Sequence, residues 1–214
     1  MVLKFLPISL AFFLIFSCKA PKPAVQHTAL VPYGPAFAAL WQQRSAEYKA
    51  LCFQAYNFAR LRLNEDLQRG SAKPMAIVTD IDETVLDNSS YNVHIALKGE
   101  NYSDKTWQEW TGKAMADTVP GALSFLKYAA EKGVHVFYIT NRSEAERGVT
   151  LQNLQRWNFP DADNEHLIPK TTTSSKEERR LAVAKTHEII LLMGDNLGDF
   201  SAIFEKQPAD KREA

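Results

Sequence analysis

A chain of 214 residues with 25 basic and 25 acidic side chains carries a formal net charge of +0, which excludes a protein built around a nucleic-acid polymer, since that partner needs a basic surface. Hydrophobic residues make up 45% and charged residues 23%, ordinary globular usage that excludes disordered and low-complexity architectures, and the length suits one domain with a small insertion. Two cysteines, Cys18 and Cys52, are too few for a disulfide framework or a zinc–cysteine cluster.

In residues 1–17, Lys4 precedes an apolar run over 5–16 that is too short to span a bilayer as a stable helix and suits a signal peptide. Ile15, Phe16, Ser17 and Cys18 look like a bacterial lipobox. Lipidation at Cys18 would place the mature chain in the bacterial cell envelope, as an outer-membrane lipoprotein held by acyl chains rather than by a spanning helix. Ordinary cleavage nearby, with Cys18 incidental, is the alternative. Residues 18–35 carry prolines at 21, 23, 32 and 35 and read as a tether. An N-terminal helical segment follows over 36–72. Tyr48, Leu51, Cys52, Ala55 and Ala59 form one apolar stripe of a helix over 36–67, with Gly70 placed to end it and Cys52 expected to be buried.

Residues 73–214 read as one domain. The nearly continuous apolar run over 75–79 predicts a buried parallel strand. A helix is predicted over 120–132, with proline in its first turn and Gly133 closing it. A strand over 134–140, a helix over 144–157, a helix capped by Ser174 or Ser175, a strand over 189–193 and a helix beginning at 200–204 complete the pattern. Strand and helix alternate, so the fold class is α/β with a mainly parallel sheet. Residues 87–119, rich in Asn, Ser, Tyr and Trp, break the alternation and read as a small inserted cap over the carboxyl ends of the strands, where open α/β sheets take their ligands. Trp107 and Trp110, three apart after Ser103, predict a short helix there.

Three strands end in polar groups whose chemistries complement one another. These are Asp80-Ile81-Asp82-Glu83-Thr84, Thr140-Asn141-Arg142 and Gly194-Asp195-Asn196-Leu197-Gly198-Asp199. In a parallel sheet these ends share one edge. Asp80, Asp195 and Asp199 are hard oxygen ligands suited to Mg²⁺. A cation there neutralises the phosphoryl charge that would otherwise repel a carboxylate nucleophile. Asp80 is then the nucleophile, forming an aspartyl-phosphate. Asp82, two residues on, protonates the leaving oxygen and later deprotonates water. Thr140 and Asn141 offer donors for the phosphoryl oxygens, and Lys176 offsets charge on phosphate and nucleophile. His94, His135 and His166 lack the spacing of a local metal-binding motif, and His135, between Val134 and Val136, reads as structural.

At these residues the chain resembles the haloacid dehalogenase-like (HAD) superfamily: Asp80-x-Asp82-x-Thr84, Thr140, Lys176 and Gly194-Asp195-x-x-x-Asp199 match its motifs. More narrowly it is similar to the class C acid phosphatases, the bacterial outer-membrane lipoprotein 5′-nucleotidase family. The residues carrying that likeness include Leu40-Trp41-Gln42-Gln43, Val85-Leu86-Asp87-Asn88-Ser89, Val119-Pro120-Gly121-Ala122 and Tyr138-Ile139-Thr140-Asn141-Arg142. The resemblance implies a Rossmann-like core with a small cap, Mg²⁺ dependence and hydrolysis of small phosphomonoesters, nucleoside 5′-monophosphates among them. It implies metal binding by the side chains of Asp80 and Asp195 and by the backbone carbonyl of Asp82, with Asp199 as a ligand or acting from behind one. Lys176 fills the motif lysine position, with Lys170 as the alternative. The family continues into a further strand and an aromatic segment that this sequence does not include, leaving Tyr91, Trp107 and Trp110 as candidates for base stacking, with core packing the simpler reading. A phosphotransferase that passes the same intermediate to an alcohol shares every motif. A surface lipoprotein that captures a ligand such as haem would show damaged motifs, and here they are intact.

Overall fold

The computed structural model describes residues 33–205. In chain order the elements are α1 (Gly34–Arg44), α2 (Ala46–Arg69), β1 (Met75–Thr79), β2 (Leu86–Asp87), α3 (Ser89–Leu97), α4 (Asp104–Thr111), β3 (Asp117–Thr118), α5 (Ala122–Glu131), β4 (His135–Ser143), α6 (Arg147–Arg156), β5 (Leu167–Lys170), α7 (Glu177–Thr186) and β6 (Glu188–Met193). The central sheet runs β5-β4-β1-β6 with every pairing parallel. Its inner strands are apolar on both faces, as a sheet covered on both sides requires. Ile77, Val136 and Tyr138 face a core built with α2, α5 and α6, while Ala76, Val78, Phe137 and Ile139 pack with Val183 of α7 on the other face. Register sets the functional edge: Thr79 lies opposite both Tyr138 and Met193, so the chain leaves three adjacent strands on the same side of the sheet.

The predicted strands over 75–79, 134–140 and 189–193 and the helix over 120–132 are present, the helix as α5 with Gly133 at φ +78 just beyond it. The predicted cap contains α3, α4 and the antiparallel ribbon β2–β3. α4 starts in a capping box between Ser103 and Thr106.

Other elements differ. The single helix predicted over 36–67 is two, because Ser45 is extended and its Oγ accepts the N–H groups of Glu47 (3.1 Å) and Tyr48 (3.3 Å), starting a new helix. Gly34 and Pro35, assigned to the tether, open α1. The signal segment, Cys18 and the tether up to residue 32 lie outside the described residues. Along α2 the buried side passes through Tyr48, Tyr56, Ala59 and Leu63; Leu51 and Ala55 are exposed and Cys52 is only half-buried. Tyr56 fixes that rotation: its OH donates to the carbonyl of Thr84 at 2.5 Å and its ring lies 5.8 Å from that of Phe125. The helix predicted over 144–157 opens as a 3₁₀ turn, Glu144–Glu146, before α6. Ser175 accepts the N–H of Glu177 at 3.4 Å, but Lys176 itself occupies the position before α7. In place of a helix from residue 200 there are two 3₁₀ turns, Leu197–Asp199 and Ala202–Phe204, separated by an extended Ser201 that caps the second. β5 has no counterpart among the predicted strands; it is short and contains Pro169, which an edge strand tolerates. No helix among the described residues is long and apolar enough to cross a membrane.

Candidate active site

Beyond Thr79 the chain leaves the sheet in a tight turn in which the N–H groups of Val85 and Leu86 both donate to the carbonyl of Ile81 at 2.8 Å. Glu83 is held at φ +58, left-handed backbone that a residue with a Cβ adopts only under constraint. The N–H of Asp80 donates to the carbonyl of Met193 at 2.9 Å, which sets the start of this turn against the Gly194–Asp195 end of β6. Together these segments wall a cavity of about 360 Å³ lined by Asp80, Asp82, Asn141, Lys176, Asp195 and Asp199, with Phe204 and Glu205 also on its wall.

Lys176 is 5% exposed, and its Nζ contacts Asp80 Oδ1 and lies 2.7 Å from Asp199 Oδ1. It is therefore Lys176, and not Lys170 on β5, that reaches Asp80. One ammonium faces several acids, and the balance is visible in their proton affinities. Burial raises the Asp80 carboxyl, Lys176 draws it down, and the charges of Asp82 and Asp199 raise it again, for a net rise to about 7. Burial and then Asp199 raise Asp195, while burial and the charge of Asp82 push Glu83 up to about 8. A fold that crowds carboxylates into one pocket is disfavouring their charge, and a cation is the ordinary compensation. Oxygens of Asp80, Asp195 and Asp199 lie within 4.8 Å of one another, an all-oxygen donor set that fits a hard divalent ion.

Asp82 lines the same cavity, but its carboxylate is turned to Arg142. The guanidinium, buried in the core, donates from Nη2 to Oδ1 at 2.7 Å and from Nε to both oxygens at 3.1 Å. Asn88 Nδ2 donates to the same Oδ1 at 2.8 Å, and Asn88 Oδ1 accepts Trp110 Nε1 at 2.9 Å, so the cap helps to fix Asp82. A metal contact from Asp82 would then come through its backbone carbonyl, outside the group of three carboxylates. Asn141 is on the cavity wall. Thr140 is buried behind it, its Oγ1 accepting the N–H of Arg142 at 3.0 Å and its own O–H left to donate.

Two arginines that sequence reasoning missed hold the loops in place. Arg179 donates to the Thr140 carbonyl (2.6 Å), Asn141 Oδ1 (2.9 Å) and the Ser175 carbonyl (3.0 Å), tying the ends of β4 and α7 together. Arg180 donates to the Asp199 carbonyl at 2.7 Å. Both stand in an ordinary charged helix turn, and only their position three and four residues beyond Lys176 could have singled them out.

Gly194 leaves room for the Asp199 side chain to pack where a Cβ would stand. A Cβ there would stand 2.3 Å from Asp199 Oδ2 and 2.4 Å from Asp199 Cβ. Gly194→Ala is therefore expected to push Asp199 off Lys176 and off the N–H of Asn196, which donates to it at 3.0 Å. The expected cost is about 1–3 kcal/mol of stability by urea unfolding, as for other overpacked sites, together with at least about a tenfold fall in kcat/KM. Unchanged values for both would mean that the contact is not needed.

Residues 22–213 match the family described as HAD superfamily, subfamily IIIB (acid phosphatase). The chain belongs to that family. Among solved structures, this subfamily IIIB chain is similar to the class C acid phosphatase from Bacillus anthracis, at 40% identity and a TM-score of 0.81 over 85% of this chain and 76% of that one. A second structure of the Bacillus anthracis enzyme, with tungstate bound, matches equally well. Acid phosphatase 1 of Solanum lycopersicum is 31% identical over 57% of this chain and 50% of its own length. The class B acid phosphatase of Xenorhabdus bovienii is 25% identical over 62% of this chain and 59% of its own. The chain thus spans about half the length of the curated relatives it matches.

Within the subfamily IIIB fold, the cap aromatics pack on one another rather than on the cavity. Tyr91 is buried, meets Trp107 edge-on at 5.2 Å and hydrogen-bonds Thr106 Oγ1 at 2.9 Å; Trp110 is held by Asn88. The aromatic on the cavity wall is Phe204.

Proposed function

We propose that the chain is a Mg²⁺-dependent phosphomonoesterase acting through an aspartyl-phosphate on Asp80. One observation carries this reading: a buried carboxylate stands in a cavity against a buried lysine, with two further carboxylates within 4.8 Å. Asp80, Asp195, Asp199 and the carbonyl of Asp82 would hold Mg²⁺, which offsets the charge of the phosphoryl group and of its attacker. Asp80 Oδ forms a bond to phosphorus as the bond from phosphorus to the ester oxygen breaks, and Asp82 gives its proton to that oxygen. Asp82 then takes a proton from water, whose oxygen displaces Asp80 and releases inorganic phosphate. Asn141, the Thr140 hydroxyl and Lys176 donate to the phosphoryl oxygens. Asp82 rests on Arg142 and Asn88, and for both transfers its carboxyl turns from them toward the cavity.

The tungstate complex of the Bacillus anthracis relative supports the same reading, because tungstate is a tetrahedral oxyanion of phosphate's shape. Small phosphomonoesters fit the cavity volume, and nucleoside 5′-monophosphates are proposed on the sequence resemblance. Lipidation at Cys18 and attachment to the bacterial outer membrane are proposed on the sequence motif alone. Phosphate release from p-nitrophenyl phosphate and from a nucleotide panel is the test: activity should disappear in EDTA and return with Mg²⁺. Full turnover in EDTA would overturn the metal requirement, and no release from any ester would overturn the activity.

A further inference from the structure

At the opposite end of the sheet the fold assembles a second group of metal-competent side chains. His135 opens β4, Asp161 and His166 lie between α6 and β5, and His187 lies between α7 and β6. The rings of His135 and His166 stack with centroids 5.7 Å apart and 5° between their planes, and the ring of His187 stands edge-on to His135 at 5.1 Å. Ligand atoms of His135, Asp161 and His166 all lie within 4.8 Å of one another. No local spacing announces this group, because His135 comes from β4 and Asp161 and His166 from the segment before β5.

The hydrogen bonds around the group leave the right atoms free. Asp163 Oδ1 lies 2.9 Å from His166 Nδ1 and also accepts the backbone N–H groups of Glu165 (2.9 Å) and His166 (3.0 Å). An ionised carboxylate only accepts, so the ring proton sits on Nδ1 and the lone pair on Nε2. A carboxylate behind a ligating imidazole is the usual means of fixing both tautomer and orientation at a metal. Asp161 Oδ2 accepts the N–H of Val136 at 2.7 Å, which anchors that side chain and leaves its other oxygen to bind. The ring of Phe137, 4.8 Å from that of His166 and 4.9 Å from that of His187, forms an apolar wall on one side.

We propose that His135, Asp161 and His166 form a second metal site, distinct from the acidic cavity and selective for a borderline divalent cation such as Zn²⁺, with Asp163 orienting His166. Two imidazoles and one carboxylate are a nitrogen-rich donor set that suits Zn²⁺, with a fourth position for water or His187, whereas the all-oxygen set of the acidic cavity suits Mg²⁺. Along β4 the chain from His135 to Asn141 covers roughly 20 Å in extended conformation, so the two ions would not share ligands. A cation here would pin the start of β4 to the loop that enters β5.

Equilibrium dialysis of Zn²⁺ against the protein in excess Mg²⁺, which occupies the acidic cavity, is the test. The proposal expects one Zn²⁺ per chain. His166→Gln and His135→Gln should each weaken binding by at least about 100-fold, and Asp163→Asn by about 10–100-fold, while phosphate release in Mg²⁺ is unchanged. Unaltered Zn²⁺ affinity in both histidine variants, or no binding by the unsubstituted protein up to millimolar Zn²⁺, would overturn it. Should either variant fail to fold, histidine ring resonances of the unsubstituted protein give the same answer: Zn²⁺ moves at least two of them if the site exists and none if it does not.

Discussion

Asp80→Asn is expected to remove phosphate release by about 10⁴–10⁶-fold in kcat/KM without lowering the melting temperature measured in EDTA. The loss follows because an amide in place of the carboxylate offers no anionic oxygen to phosphorus, while the remaining groups still bind the ester. The unchanged stability follows from the crowding at the site. Asp80 is buried against Lys176 but shares that ammonium with Asp199 and faces Asp82 and Asp195 as well. Burial, against the pull of Lys176 and with the charges of Asp82 and Asp199, leaves its ionised form disfavoured. Asparagine keeps the shape and removes one negative charge, and Lys176 keeps Asp199 at 2.7 Å, so no buried ammonium is left unpaired. Assay and thermal scan on one preparation separate the outcomes. Activity within tenfold of the unsubstituted protein would sink the nucleophile assignment. A large fall in melting temperature would mean that the Asp80–Lys176 contact supports the fold rather than catalysis.

What the sequence reveals here, and what it hides, follows from how local each signal is. β1 and β4, buried on both faces, read as nearly uninterrupted apolar runs, and β6, an edge strand with half-buried residues, reads the same way. All three are therefore visible, and the polar residues at their carboxyl ends had to share an edge once the sheet was parallel. Asp80, Asn141, Lys176, Asp195 and Asp199 could therefore be brought together on paper, as they are in the cavity. The break at Ser45 is a single hydroxyl capping two N–H groups inside an otherwise helical pattern, and β5 is four residues containing a proline. Neither overcomes a periodicity argument. Arg142, Arg179 and Arg180 act through contacts 60, 39 and 19 residues away in the chain, on backbone carbonyls and a carboxylate whose positions depend on the folded sheet. Their roles are tertiary facts. The same holds for His135, Asp161 and His166, which look unrelated until separate segments close over one end of the sheet.

Lys176→Met should expose the electrostatic design most directly. Methionine matches the length of lysine without its charge, so the variant leaves the carboxylates of Asp80, Asp195 and Asp199 within 4.8 Å of one another with no ammonium between them. Removing one partner from a buried ion pair typically costs about 3–5 kcal/mol. For a domain of this size that is a fall in melting temperature of roughly 6–20 °C when measured in EDTA. Mg²⁺ should then restore much of the loss, because the unpaired acids bind a divalent cation more tightly than the lysine-neutralised set does, and a ligand that binds only the folded state stabilises it in proportion to the logarithm of its concentration over Kd. The Mg²⁺-induced rise in melting temperature is thus expected to be larger in Lys176→Met than in the unsubstituted protein. Turnover in saturating Mg²⁺ should nevertheless stay down by about 10²–10³-fold, since the cation does not replace the donor that the proposed mechanism takes from Lys176 for the phosphoryl oxygens. Thermal scans with and without Mg²⁺, run beside the phosphate assay, distinguish the cases. An equal Mg²⁺ response in the two proteins would place the cation away from Lys176. A variant that is fully stable in EDTA would show that the acids do not depend on this lysine for their charge balance.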